Sequence, residues 1–396
     1  MELVTKPILN YDDYIIVREK IIHNPEINFH VHIRLDKSSS EYIVKREGYF
    51  SLMGFPNIKT IYVNDYFGKI NYNLSSDIIY FDCKDSYTSH VLAVKKELHL
   101  LSSLNGCSIT VHGTGEVIPK KNMRSDMSLV LKDSTRLNSK LGGAATVFCM
   151  DSCSVCGGAD GIHSSPRFYI KKTKKDFMGI FDHAFIIVED DASGNIAAYD
   201  SIIHTDEKHS VTIEASNRTV IYNNNKNNLP KISNDSVCYN HFTLDGLPSN
   251  YINTNIYLNE NRIYYKCVGY ENGEYLSTYD TTFTYEIGKT YENELNEDLN
   301  IACAPGLHCA PFDWVMRNYA YGIVRNRSIK AKLDEPEERY AILEVEVPSD
   351  AKIICPNSTN GKIRTNKLKI LREVPLEELL ERSLFAKICY ERHIND

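Results

Sequence analysis

The chain has 396 residues, of which 42% are hydrophobic and 24% charged, and its formal net charge is −7 at pH 7. This composition is typical of a soluble globular protein of two or three domains, and no apolar run approaches the roughly 18 residues that a membrane-spanning helix needs. The basic residues occur only in short clusters such as IKKTKKDF, so the charge disfavours nucleic acid as the main partner.

Cysteine usage and the start of the chain bear on the cellular compartment. The eleven cysteines are odd in number and scattered along the chain, which suits a reducing environment better than a disulfide framework. The first residues, MELVTKPILNYDDYIIV, contain acidic residues and no continuous apolar region of the kind found in a signal peptide. We therefore expect a cytoplasmic protein.

The first region, residues 1–90, is predicted to be rich in strands. Short apolar stretches such as YIIV (14–17) and FHVHIRL (29–35) are separated by Gly, Pro, Asn and Ser. In the second stretch, alternate residues from Phe29 onward share one face, and His30 and His32 share the other. Two histidines on a strand can ligate a metal, but no third ligand is in view, so we interpret this face as polar and solvated.

The next region, residues 91–224, contains a short repeat. The segments ATVFCMDS (145–152) and CSVCGGAD (153–160) share one pattern of small and apolar residues followed by turn residues. Looser copies begin at residues 107, 127, 195 and 211. Short strands with tight turns at a fixed short period are typical of stacked coils, so this region is predicted to be β-solenoid-like.

Three cysteines in this repeat have the spacing of a metal or cluster site. Cys149, Cys153 and Cys156 follow C-x3-C-x2-C, which could hold an iron–sulfur cluster, or zinc with His163 as a fourth ligand. Alternation along a strand instead puts Cys149 on the inner face and Cys156 on the opposite face. Since small apolar side chains fill narrow solenoid interiors, we favour a structural role for these thiols and no metal.

A linker and a different domain follow. The stretch NNNKNNLPKISNDS (223–236) is rich in Asn and poor in apolar residues, and we place a linker at 225–260. Residues 261–396 are predicted to form a small α+β domain, closed by one amphipathic helix from Val374 to the end. The predicted fold class of the whole chain is mainly β.

The segment CAPGLHCAP (303–311) contains candidate catalytic residues. Its Pro-Gly turn can aim His308 toward Cys303 and Cys309. Cys303 and His308 could form a thiolate–imidazole pair for nucleophilic catalysis, or, with Cys309, three corners of a zinc site. In the alternative that we favour, Cys303 packs as a small buried residue and His308 locks the turn through the backbone.

This order of motifs resembles a domain family of uncharacterised function found in bacteriophage, bacterial and large-DNA-virus proteins. The resemblance rests on five segments: YYKCV (264–268), YEIGKTY (285–291), CAPGLHCAP, ILEVEVPSDAKII (342–354) and KIRTNKLKIL (362–371). It implies a viral- or phage-type interaction or structural protein, in the host cytoplasm or the virion, whose partner is another protein or a second copy. The resemblance implies no particular reaction.

The same domain is also similar in element order to ADP-ribosyltransferases, which bind NAD in a cleft of a split β-sheet. That similarity implies that Tyr265 and Lys266 occupy the place of the first conserved pair, and that Glu344 or Glu346 serves as the late catalytic glutamate. A nucleotide-using transferase with NAD as cofactor is therefore the alternative function, and a metal-binding protein is the second alternative. The sequence leaves open whether the protein is an enzyme.

Overall fold

The structure is a computed structural model. It describes residues 2–36, 38, 49–65, 68–83, 88–102, 104, 106–120, 127–159, 166–240, 246–253, 261–280, 282–301, 303–316, 318–320, 322–323, 339–356 and 362–394. The chain forms two compact units, Met1–Ser236 and Val237–Asp396. Strands account for 52% of the structure and helices for 12%, which confirms the mainly β prediction.

The first unit is a parallel β-solenoid of about 10 turns. Its elements in chain order are β1 (Glu2–Val4), α1 (Tyr11–His23), β2 (Asn28–Leu35), β3 (Tyr49–Leu52), β4 (Ile58–Asp65), β5 (Asn71–Cys83), β6 (Ser89–Leu100), β7 (Ser108–Gly113), β8 (Glu116–Pro119), β9 (Ser128–Leu131), β10 (Arg136–Leu141), β11 (Thr146–Asp151), β12 (Ser154–Ala159), β13 (Arg167–Thr173), β14 (Met178–Asp182), β15 (Phe185–Val188), β16 (Ser193–Tyr199), β17 (Ile202–Thr205), β18 (Ser210–Ser216), β19 (Val220–Asn223) and β20 (Lys231–Ile232).

Each coil contributes one strand to each of two parallel ladders. Strand β11 lies between β9 and β13 in one ladder, and β12 lies between β10 and β14 in the other. Because β11 and β12 begin eight residues apart, the short period in the sequence is the spacing of successive strands within one coil. The coil itself is about twice as long: the Ala184 amide donates to the Ser201 hydroxyl, 17 residues further along the chain.

Inward-facing side chains of successive coils stack on one another and form the core of this unit. One such row contains Leu129, Val147, Phe168, Ile186 and Ile203, which follow one another in the ladder and are fully buried. Burying one side chain of this kind stabilises the fold by roughly 1.5–3 kcal/mol. The alternation that was predicted for the cysteine repeat is present, since Val147 and Cys149 are buried and Cys156 is exposed.

Aspartates at the turns join neighbouring coils. Asp133 and Asp151 have positive φ angles of 57° and 55°, a conformation that aspartate tolerates better than most residues. The Asp133 carboxylate accepts a hydrogen bond from the Gly113 amide at 2.9 Å, and the Asp151 carboxylate accepts one from the Asp133 amide at 3.2 Å. The turn residues of the repeat therefore satisfy backbone donors of the preceding coil.

The solenoid extends beyond the region that the repeat predicts. Strands β1, β2 and β4 belong to the same parallel ladder as the later coils, so no break in pairing occurs at residue 90. Strand β20, which lies inside the predicted linker 225–260, pairs with β18. Backbone pairing with the neighbouring coil holds both segments in the solenoid even though their sequences lack the short repeat.

Residues 14–17, predicted as a strand, lie in helix α1. Asn10 caps this helix by accepting a hydrogen bond from the Asp13 amide, and acidic residues occupy its first turn. Val17 and Ile21, four residues apart, are its buried positions. The apolar run YIIV fits both the alternation of a strand and the repeat of a helix. The Asn10 cap and the four-residue spacing of Val17 and Ile21 favour the helix.

The second unit is α+β, as predicted. Its elements are β21 (Val237–Asn240), β22 (Tyr251–Asn253), β23 (Ile263–Glu271), β24 (Glu274–Leu276), β25 (Thr284–Tyr285), β26 (Thr290–Glu292), β27 (Leu307–Cys309), β28 (Arg339–Glu346), β29 (Ile353–Ile354), β30 (Ile363–Thr365), β31 (Lys367–Glu373), α2 (Leu376–Arg382) and α3 (Leu384–Ile394). An antiparallel sheet has the strand order β25-β24-β23-β28-β31-β26, and a second has the order β27-β30-β29. Residues 312–316 are helical.

The closing helix is divided in two. The sequence predicts one amphipathic helix from Val374, whereas the structure has α2 and α3 with Ser383 between them in an extended conformation. The Ser383 hydroxyl accepts a hydrogen bond from the Ala386 amide, so Ser383 acts as the N-cap of α3. The apolar spacing continues across this residue and therefore hides the break.

Candidate functional site

A cavity of about 510 Å³ lies within the second unit. Its volume falls within the range of small-molecule sites, roughly 300–1,000 Å³. The lining side chains that bear on its chemistry are Tyr265, Lys266, Asp280, Phe283, Tyr285, Cys303, His308, Cys309, Trp314, Tyr319 and Lys362. Three of the four residues predicted as catalytic, namely Lys266, Cys303 and His308, are in this set.

Strand pairing brings the CAPGLHCAP segment next to the strand that carries Lys266. Tyr265 and Ala310 exchange backbone hydrogen bonds of 2.8 and 2.9 Å. On its other side, β27 pairs with β30, with His308 opposite Arg364. The turn before β27 needs a glycine, because Gly306 has φ +137° and a Cβ there would lie 2.6 Å from the Arg364 Cγ.

Lys266 reaches the cavity from β23. Its Nζ donates a hydrogen bond to the His308 carbonyl at 2.9 Å and lies 5.2 Å from the centre of the Tyr285 ring. Among the residues that the structure describes, no carboxylate forms an ion pair with it. The residue as a whole is half-buried, but its ammonium end lies deep enough that burial lowers the pKa of Lys266 below its usual value.

His308 is neutral at neutral pH. Burial, followed by the positive charges of Lys362, Lys266 and Arg364, lowers the pKa of His308 to about 4. Its Nε2 donates a hydrogen bond to the Ala304 carbonyl at 3.1 Å, which leaves Nδ1 as an acceptor. The imidazole therefore locks the turn, as the favoured interpretation of the sequence expects, and three cations influence it.

Cys303 lies beside a lysine. Its side chain is exposed, so the prediction that Cys303 packs as a small buried residue is wrong. The Lys362 Nζ lies 3.3 Å from its sulfur. The partner of His308, in contrast, is the Ala304 carbonyl. The structure thus brings Cys303 and His308 to one cavity but gives each a partner other than the thiolate–imidazole pair that the sequence suggests.

Cys309 is buried in the cavity wall, and burial raises its pKa to about 12. Ionising this thiol to bind zinc would be costly, because a metal ligand must be a thiolate. Among the described residues, the group whose ligand atoms lie close enough to hold a metal ion is Asp182, His183 and Asp200 in the first unit. Asp182 is engaged by Lys140 at 2.7 Å and Asp200 by Arg218 at 3.1 Å, so ion pairs already satisfy these carboxylates.

The two candidate glutamates do not line the cavity. Tyr265 stands opposite Glu344 in the β23–β28 pair, and Lys266 stands opposite Leu343. Since directly opposite residues share a face of the sheet, Glu344 and Glu346 lie on the face away from Lys266. Glu344 accepts a hydrogen bond from Arg372 at 2.7 Å, and Glu346 lies 3.8 Å from Lys369.

The cysteines of the repeat lie in the first unit and do not share one environment. Cys149 and Cys153 are buried, whereas Cys156 is exposed on the outer face. Burial and the neighbouring Cys153 raise the pKa of Cys149. His163, the fourth ligand in the zinc alternative, lies outside the described residues.

The sequence did not single out Lys362, Arg364, Tyr285 or Trp314 as site residues. Lys362 and Arg364 alternate within KIRTNKLKIL, a segment that the sequence marks only as a motif. Arg364 is fully buried and donates to the carbonyls of Ile301 and Asp298, at 2.9 and 2.8 Å. The sequence signal that could have identified these two residues is the pair of basic side chains at alternate positions of this short segment.

No protein-family model matches the chain, and comparisons with curated proteins and with solved structures find no match. In the described part of the chain, no helix has both the length and the apolar character needed to cross a membrane. The geometry of the cavity is therefore the basis for a function.

Proposed function

We propose that the second unit binds a small anionic ligand that carries an aromatic ring, and that the ligand is a nucleotide. The observation that carries this proposal is the group of cations around a neutral imidazole. The positive charges of Lys362, Lys266 and Arg364 all act on His308 and lower its pKa. Such a region attracts anions, because buried positive charge is stabilised when an opposite charge approaches.

The partners of two of these cations support the proposal. Lys266 donates to one carbonyl, and Arg364 donates to two. A carbonyl dipole compensates a buried cation less well than a carboxylate or phosphate does. A ligand phosphate near Lys362, which lines the cavity, adds a negative charge beside these cations.

The walls of the cavity suit a ring. Phe283, Tyr285, Trp314 and Tyr319 line it together with the two lysines. One carboxylate, Asp280, also lines it, and this carboxylate accepts hydrogen bonds from the Thr282 amide and hydroxyl. Aromatic side chains stack on nucleobases and contribute roughly 1–3 kcal/mol per base. Aromatic walls with a few cationic groups are the combination that a nucleotide requires. The proposal is limited to binding, because Glu344 and Glu346 lie away from the cavity.

Titration with nucleotides tests this proposal. Trp314 is the single tryptophan of the chain and lines the cavity, so its fluorescence reports ligand entry. We expect ATP and NAD to change this fluorescence and to release heat in calorimetry, and uncharged adenosine to bind more weakly. Lys362→Met should weaken ATP binding about 10- to 100-fold, since a charge-assisted hydrogen bond contributes roughly 1.5–3 kcal/mol.

The matched control is Lys387→Met, an exposed lysine on α3 of the same unit. This variant should bind ATP like the unchanged protein. If ATP, NAD and adenosine all leave the Trp314 fluorescence unchanged and release no heat, the proposed nucleotide site is wrong. Equal loss of affinity in both lysine variants would also contradict it, because the effect would then come from net charge.

A second candidate function belongs to the first unit. We propose that the solenoid self-associates through its N-terminal end, the interaction role that the family resemblance implies. Val4, Leu9 and Ile16 expose 65%, 49% and 63% of their surfaces. Among the described strands, β1 pairs only with β2, and strand edges of this kind are where a second copy can add by β-pairing.

Light scattering over a range of protein concentrations tests self-association. We expect the mass to rise with concentration, and Ile16→Lys to shift association to at least about 10-fold higher concentration, because a charge would be buried at the interface. Leu101→Lys is the control, since Leu101 is also exposed in this unit but lies after β6. The mass of a monomer at every concentration would overturn this candidate.

A further inference from the structure

We infer that Lys266 is a nucleophilic amine that condenses with the carbonyl carbon of an anionic aldehyde or ketone bound in the cavity. This inference rests on the proposed function, because it uses the same cavity and the same anion site. It adds a covalent step and a ligand class that binding of a nucleotide does not require.

The surroundings of Lys266 are those of an activated lysine. Its Nζ donates a hydrogen bond to one backbone carbonyl at 2.9 Å, and no carboxylate of the described residues forms an ion pair with it. Lys362 lines the same cavity, and both lysines act on His308. A lysine that is buried in a pocket without a carboxylate partner loses its proton more easily and becomes a nucleophile at lower pH.

Other lysines of the same unit behave in the opposite way. The pKa of Lys266 is lowered by burial, whereas the pKa of Lys289 is raised by Glu286 and that of Lys367 by Asp350 and Glu292. Lys289 and Lys367 stay protonated through their ion pairs. Lys266, whose Nζ donates to a carbonyl and not to a carboxylate, is the better amine, and Lys362 lines the same cavity as the group that binds the anionic part of the ligand.

The chemical step balances without a further reagent. The Nζ lone pair attacks the carbonyl carbon, and a C–N bond forms to give a carbinolamine. The former carbonyl oxygen then leaves as water together with two hydrogens from the amine, and an imine remains. Borohydride can trap the imine: its hydride adds to the imine carbon, solvent supplies a proton to nitrogen, and the product is a stable secondary amine.

Pyridoxal 5′-phosphate is a suitable probe, because it combines an aldehyde, an aromatic ring and a phosphate. We expect that treatment of the full chain with this probe and sodium borohydride, followed by peptide mass spectrometry, labels Lys266 at least about 10-fold more than Lys289 or Lys367. Labelling of Lys266 should increase as the pH is raised through its pKa. Pyridoxal, which lacks the phosphate, should label Lys266 more slowly.

Two further measurements separate this inference from the proposed function. ATP binding is measured on the unchanged protein through Trp314 fluorescence, and the adduct at residue 266 should disappear in Lys266→Arg, whose guanidinium cannot form the imine. If ATP binds but label accumulates at Lys362 or evenly over surface lysines, the inference is wrong and the proposed nucleotide site stands. If ATP does not bind and Lys266 is not labelled, both the proposed nucleotide site and this inference are wrong.

Discussion

Replacing Arg364 by methionine is expected to destabilise the second unit by about 2–4 kcal/mol. The guanidinium of this fully buried residue donates to the carbonyls of Ile301 and Asp298, and methionine has no donor for either. Removing a buried charge recovers part of the loss, since its desolvation cost disappears. Trp314 fluorescence during urea unfolding measures the change, because the first unit contains no tryptophan.

The same substitution should weaken ATP binding. Arg364 holds the chain segment that leads into Cys303 and the Ala304–His308 turn, which forms one wall of the cavity. We expect a loss of at least about 10-fold in affinity when that wall moves, equivalent to roughly 1.4 kcal/mol. Arg364 acts by positioning this wall, since it does not itself line the cavity.

Arg262→Met is the matched control for Arg364→Met. Arg262 also donates to two backbone carbonyls, those of Val347 and Ala351, each at 2.8 Å, but it is only half-buried and does not line the cavity. Its loss should reduce stability less and leave ATP affinity unchanged. A result in which both variants bind ATP as the unchanged protein does would show that the buried guanidinium has no part in shaping the site.

Gly158→Ala is expected to disrupt the solenoid, at a cost of about 3 kcal/mol or more. A Cβ at this position would overlap the backbone carbonyl of Asp182 in the adjacent coil, which stands opposite Gly158 in the β12–β14 pair. Backbone in a continuous ladder cannot move away without breaking the hydrogen bonds of that pair. Circular dichroism during thermal unfolding, together with amide exchange of β12 and β14, measures the loss.

The adjacent glycine supplies the control. A Cβ on Gly157 would lie 3.2 Å from the Phe168 ring, so the contact is with a side chain and its relief requires a shift of only a few tenths of an ångström. Gly157→Ala should therefore cost about 1 kcal/mol. Equal destabilisation by the two alanines would contradict the view that close approach of the two backbones fixes the glycine at 158.

Much of the first unit could be predicted from the sequence because its repeat is local. Alternation within ATVFCMDS and CSVCGGAD places Val147 and Cys149 inside and Cys156 outside, and no distant contact is needed to decide this. The coils before residue 90 lack the repeat, and their membership in the solenoid depends on pairing with strands in the neighbouring coils. Such pairing between distant residues leaves no periodic signal.

The helix boundaries also depend partly on the local sequence pattern and partly on the tertiary structure. The apolar run at 14–17 fits a strand by itself, and the helix follows from the Asn10 cap and the packing of Val17 and Ile21. Near the C-terminus, the helical spacing of apolar residues continues through Ser383, although α2 ends before that residue. In both places the hydrophobic pattern identifies a buried segment, and capping and packing decide its exact form.

By itself, the sequence determined the mainly β class, the strand spacing of the coils and the candidates Cys303 and His308, because local alternation and turn chemistry depend on neighbouring residues. Lys266 became a candidate through the similarity in element order to ADP-ribosyltransferases. Only the tertiary structure decided which of them meet. Lys362 reaches Cys303 across 59 residues and Lys266 reaches the His308 carbonyl across 42, whereas Glu346 faces away. The physical reason is that sheet pairing sets which side chains share a face, and pairing partners are chosen by burial across the whole unit.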